Sequence, residues 1–173
     1  LKELTQAIAH EQFEVYYQPK ACAQSHELVG LEALVRWNHP NHGLIEPAEF
    51  IPFAEDNGMV SAIDEWVMQR VMSDLSTWQQ DCLDVVPVAI NVSASHILRP
   101  DILTCVQHLI EDSDVDPRLI QFDLTESVLR AEYSETRDAL QELQEMGISI
   151  WLNDFGTGYS AMSYLNDFPL DGI

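Results

Sequence analysis

The sequence predicts an α/β protein whose mostly parallel sheet is covered by helices. Two observations predict it: a strand hairpin near the start, and a regular alternation of strand and helix patterns after it. Residues 1–12 have the spacing of an amphipathic helix. Residues 13–20 and 27–37 read as strands joined by a polar turn. Residues 47–55 and 63–80 have helical spacing, and Pro47 opens the first at the turn where proline is tolerated. A strand over 85–92 precedes a helix over 102–111. A strand over 119–124 then precedes a helix over 134–146 that Gly147 stops. Residues 148–152 form a further strand, a short helix is expected near 160–165, and 170–173 begins one more strand. Such a series builds either an open doubly wound sheet or a (β/α) barrel. A barrel takes about 250 residues and eight strands, so the 173 residues here are too few to close one. No internal repeat, low-complexity tract or linker interrupts the chain, and one incomplete domain over residues 1–173 is expected.

The bulk numbers narrow the class. An apolar fraction of 46% suits a globular core rather than a disordered chain. No apolar run approaches the roughly 20 residues of a membrane span, so the chain itself is expected to be soluble. It has no signal-like start and no initiator Met, which suggests a piece of something longer. Acidic residues number 29 against 8 basic ones. That field repels a duplex or a long single strand. Cys22, Cys82 and Cys105 are odd in number and lack C-x-x-C spacing. Reduced thiols in the cytoplasm are therefore expected, whether the chain stands free or belongs to a membrane-anchored protein.

Polar residues gather where strands end. Alternate residues of a strand share a face. In E-L-V-G-L-E-A-L-V-R-W, Val29, Leu31, Ala33, Val35 and Trp37 form an apolar face suited to lie under helices, while Glu32, Leu34 and Arg36 share the other. Glu32 and Arg36 can pair with each other or point together at a ligand. Asn91 and Ser93 close the strand at 85–92, Asp123 and Glu126 the next, and Asn153 with Asp154 the last. Gln18 closes the first. Any one alone reads as a turn former or cap. Several together lie where α/β folds of both kinds place ligand sites, and suggest Mg²⁺-assisted phosphate chemistry. Mg²⁺ takes hard oxygen ligands, paired ions clamp an in-line phosphoryl displacement, and Arg36 suits a two-pronged grip on phosphate. Gly156 and Gly158 let a loop pass close to the site.

These residues resemble a known family. E-A-L-V-R-W at 32–37, Y-Q-P upstream, then N-V-S, D-L-T-E-S and N-D-F-G-T-G-Y-S in order are similar to the motifs of the EAL domain, a bacterial domain of cyclic di-GMP signalling. The resemblance covers nearly the whole chain. It implies a TIM-like (β/α)8 barrel with an antiparallel first strand, of which this chain would be about the N-terminal two thirds. It also implies a site for two ions, Mg²⁺ or Mn²⁺, that hydrolyses cyclic di-GMP to linear pGpG. By position, Glu32, Asn91, Asp123, Asn153 and Asp154 match the metal ligands. Gln18, Leu34, Arg36, Asn91 and Asp154 match ligand contacts, and Glu126 matches the glutamate that steadies the D-F-G-T-G loop.

The departures shape the expected function. The family's catalytic Lys would follow Ile173 directly, and its water-positioning Glu would lie further on. Asn153 stands where the family has the Asp shared by both ions, and Asp123 where it usually has Glu. The corresponding four ligands usually carry three negative charges, whereas Glu32, Asn91, Asp123 and Asn153 carry two. Losing one unit charge beside a dication costs on the order of a few kcal/mol at an effective dielectric of ~20. The resemblance therefore implies a domain that binds cyclic di-GMP with weak or no hydrolysis. An active phosphodiesterase and a degenerate protein-interaction scaffold are the alternatives. Other signalling domains are expected as partners in the parent chain, and the open apolar sheet edge is expected to pair with a second copy, as a homodimer, or to aggregate.

Overall fold

The computed structural model of the chain describes residues 2–125, 128, 133–153 and 167–172. Helix α1 (Lys2–Ala9) buries Leu4 and Ala7 and leads into β1 (Phe13–Ala21). Strand β2 (Leu28–His39) returns antiparallel to β1, with Phe13 opposite Trp37 and Gln18 opposite Glu32. A short β3 (Gly43–Ile45) folds back on the end of β2. Its tight entry uses Gly43 at φ 72°, a conformation open to residues without a Cβ.

Helices α2 (Pro47–Asp56) and α3 (Val60–Gln80) then cross to β4 (Val88–Val92), which lies parallel to β2. Helices α4 (Ala94–Ile97) and α5 (Ile102–Ser113) lead to β5 (Ile120–Thr125). Helix α6 (Tyr133–Glu145) leads to β6 (Ser149–Asn153). The spatial order is β1-β2-β4-β5-β6, antiparallel only at β1 and β3. Gly172 bridges Trp151 in parallel, so a further strand begins beside β6 where the sequence places one. This is the hairpin-then-crossover arrangement expected of an incomplete α/β barrel.

One face of the sheet is the core. Ile90, Ile120, Phe122, Leu124, Ile150 and Leu152 alternate along β4, β5 and β6 and are buried, with α3 packed on β4 and α6 on β6. Each such side chain contributes about 1.5–3 kcal/mol on leaving water. The apolar face expected along β2 holds at Ala33 and Trp37 but fails at Val29, which is 53% exposed. Parallel pairing with β4 begins only at Leu31, so Val29 lies outside that contact.

Other differences also have local causes. The strand expected from residue 85 starts at Val88 because Pro87 has no N–H, and its carbonyl instead accepts from Leu31 N at 2.9 Å. Helix α4 has no sequence periodicity to announce it. The Asp64 carboxylate of α3 holds its start by accepting from Ser93 N at 2.9 Å. The loop with Gly156 and Gly158 and the helix expected near 160–165 lie outside the described residues.

Candidate functional site

The pairing register puts the polar residues on one surface. Gln18 lies opposite Glu32, Glu32 beside Ala89, Asn91 beside Asp123, and Thr125 beside Asn153. With a period of two along each strand, all of these share the face opposite the helix-covered core. The sheet therefore gathers Glu32, Asn91, Asp123 and Asn153 from β2, β4, β5 and β6. Strand β1 runs the other way, so its C-terminal end lies at the far edge. Gln18 reaches the site only because it stands before that end, level with Glu32.

The four side chains form two linked pairs. Asn91 Nδ2 donates to Glu32 Oε1 at 3.0 Å, and Asn153 Nδ2 donates to Asp123 Oδ2 at 2.9 Å. Asp123 is the buried member, 2% exposed. Its Oδ2 also receives Lys20 Nζ at 3.1 Å, and its Oδ1 receives Gln121 Nε2. Lys20 and Gln121 are the residues that sequence reasoning missed. Both could have been found by counting in twos: Lys20 is two positions past Gln18, and Gln121 two before Asp123.

Arg36 shares the face but is not paired with Glu32. Its Nε lies 2.9 Å from Glu46 Oε2 and its Nη1 donates to Val35 O at 3.0 Å, with the guanidinium 5.7 Å from the Tyr16 ring centre. Glu46 immediately precedes α2, and its carboxylate fixes the fork beside that helix start. Leu34, Asn91 and Asp123 line a cavity of about 560 Å³ whose other wall includes Pro47 and Ile51 of α2. That is within the ~300–1,000 Å³ of small-molecule pockets. Asp154 and Glu126 lie outside the described residues.

As a donor set for a cation, the site offers hard oxygens from two carboxylates and two amides, of the type Mg²⁺ and Mn²⁺ take. A half-turn of either amide exchanges its N–H for its carbonyl oxygen. The set suits one divalent ion held by two negative charges. It suits a bridged pair poorly, since the Asn153 amide carries no charge to share. Among the described residues, no group of three or more His, Cys, Asp or Glu side chains forms a metal-binding cluster. No helix among them is long and apolar enough to cross a membrane.

The fold and site together define an incomplete α/β barrel with a polar, carboxylate-bearing mouth at the strand ends. The chain belongs to the EAL domain family, whose model matches residues 1–173. It is 38% identical over 172 residues to the cyclic di-GMP phosphodiesterase NbdA of Pseudomonas aeruginosa, covering 99% of this chain and 22% of that protein. Among solved structures it resembles the PaMucR phosphodiesterase in its c-di-GMP complex, at a TM-score of 0.90 and 33% identity, covering 98% of this chain and 68% of that one. It also resembles the EAL enzyme Bd1971 in its cAMP and cyclic-di-GMP bound form, at 0.89 and 30%, covering 98% and 47%. The chain spans between 20% and 30% of the length of the curated relatives it matches. Membership in this family agrees with the resemblance read from the motifs.

Proposed function

We propose that this domain binds cyclic di-GMP and hydrolyses it weakly or not at all, acting as a receptor in cyclic di-GMP signalling. Binding is supported by the relatives, which include phosphodiesterases and c-di-GMP complexes, and by the cavity that Leu34 and Asn91 line. Arg36 is the phosphate contact and Gln18 a second polar contact in this reading. Glu32, Asn91, Asp123 and Asn153, with Asp154, would hold the ion, and a bound Mg²⁺ or Mn²⁺ would polarise the scissile phosphate as a Lewis acid.

Impaired hydrolysis rests on one observation: Asn153 turns an N–H toward Asp123, where the family's shared acid would offer a charge. Of the four ligands on β2, β4, β5 and β6, Glu32 and Asp123 are then the two that carry charge toward an ion. Calorimetry of the intact protein with cyclic di-GMP, with and without Mg²⁺, tests the binding. Heat is expected in both conditions, and its absence in both ends the receptor reading in favour of an interaction scaffold. Turnover to pGpG is expected to be slow with either metal. The alternative, a working phosphodiesterase, is favoured by the activity named for NbdA. Rapid pGpG formation by the unmodified protein would establish it.

A further inference from the structure

The polar face carries a cation of its own. Lys20 leaves β1 on the same side as Gln18, and its ammonium lies 3.1 Å from Asp123 Oδ2. The Asp123 side chain is fully buried, whereas that of Lys20 is 35% exposed. A buried carboxylate needs a counter-charge or must take up a proton. Here it has an ammonium and two amide N–H groups, from Gln121 and Asn153. A carboxylate offers about four lone-pair positions, and these donors occupy three of them.

We propose that Lys20 is the resident counter-ion of this site: it takes the place of a divalent ion on Asp123 and frees dinucleotide binding from a metal requirement. The first half concerns Lys20 and Asp123 alone, and the second rests on the receptor reading above. A dication that ligates Asp123 must displace one of the bound donors and sit beside a positive charge. The flexible four-carbon stem of Lys20 and its partial exposure allow the ammonium to withdraw. Metal entry is therefore a competition and not a simple filling. Asn153 tilts the competition away from a dication, because it adds a donor to the same Oδ2, where a second negative charge would favour a dication more than an ammonium.

The test uses the intact protein, with Mn²⁺ as the probe and its affinity read by calorimetry or by the spin resonance of the free ion. Lys20→Met is expected to tighten Mn²⁺ binding about tenfold or more, since it removes a unit charge next to the ion. Lys20→Arg keeps the charge and is expected to stay near the parent affinity. Lys20→Gln leaves a donor for Asp123, and so covers the case in which the Met variant fails to fold. It is also expected to tighten Mn²⁺. Cyclic di-GMP affinity is expected to be indifferent to EDTA in the parent and to fall in EDTA for the Met or Gln variant. Equal Mn²⁺ affinity in the folded neutral variants and the parent overturns the proposal, as does equal tightening by Lys20→Arg. Failure of every protein to bind the dinucleotide overturns the receptor reading and the metal-independence claim, while the Mn²⁺ comparison still decides what Lys20 does on Asp123.

Discussion

Replacing Asn153 by Asp changes the side chain little in shape and wholly in charge. Its Nδ2 now donates to Asp123; the variant would set two carboxylates facing each other, with Lys20 the cation paired to Asp123 among the described residues. A hydrogen bond to a charged group contributes about 1.5–3 kcal/mol, and each kcal/mol moves the melting point of a domain this size by about 2–4 °C. Asn153→Asp is therefore expected to melt several degrees lower in EDTA and to recover with Mn²⁺, with faster pGpG formation if the rest of the site is sound. An unchanged melting curve insensitive to both would show that residue 153 does not address the ion position. Cys22 gives a second prediction at this scale. Hydrogen bonds from the Ser25 backbone first, then from the Ser25 side chain and the Gln24 backbone, pull its thiol down to about 7. A lowered thiol value means thiolate at lower pH, so alkylation of Cys22 is expected to reach half its plateau rate near pH 7. The ordinary thiol midpoint lies about 1.5 units higher, and finding it there would refute the hydrogen-bonded turn.

At the scale of elements, α6 and β6 meet at a joint that depends on one residue. Gly147 has φ 102°, and an added Cβ would stand 3.2 Å from Pro117 Cβ. Gly147→Ala is expected to cost about 1–2 kcal/mol from the left-handed backbone alone, read as a lower urea midpoint with an unchanged slope. Within α3, Leu75 is fully buried, and Leu75→Ala is expected to cost about 2–5 kcal/mol by the same measurement. These joints were legible in the sequence. A glycine after a helical period and an apolar stripe at helical spacing are local signals, and β1, β2, α2, α5 and β5 appear within a few residues of their expected bounds. Among the described residues, β3 and α4 were not legible. β3 exists through pairing with Trp37 and His39, and α4 through a carboxylate 29 residues away in sequence. The site divides in the same way. Strand period and strand ends were enough to place Glu32, Asn91, Asp123 and Asn153 on one face. The pairing of Arg36 with Glu46 and of Lys20 with Asp123 was not visible, because the latter partners stand 103 positions apart and no sequence period links them.

For the whole molecule, charge opposes the proposed ligand. The chain carries a formal charge of −21, and cyclic di-GMP brings two phosphodiester charges of the same sign. Lys20 and Arg36 favour the ligand within a few ångströms, yet both are already matched by Asp123 and Glu46. The field that an approaching dinucleotide meets is therefore the acidic surface. Its reach is set by ionic strength: the screening length is roughly 20 Å at 20 mM salt and about 8 Å at 150 mM. Adding salt removes repulsion at a distance before it weakens contacts inside the cavity. The association rate for cyclic di-GMP is expected to rise severalfold between about 20 and 150 mM NaCl, with little change in the dissociation rate. Basic steering toward Arg36 would give the opposite slope, a rate that falls with salt. Stopped-flow binding with a fluorescent dinucleotide distinguishes the two signs directly, and a falling rate would mean that the cations at the mouth, not the acidic surface, govern capture.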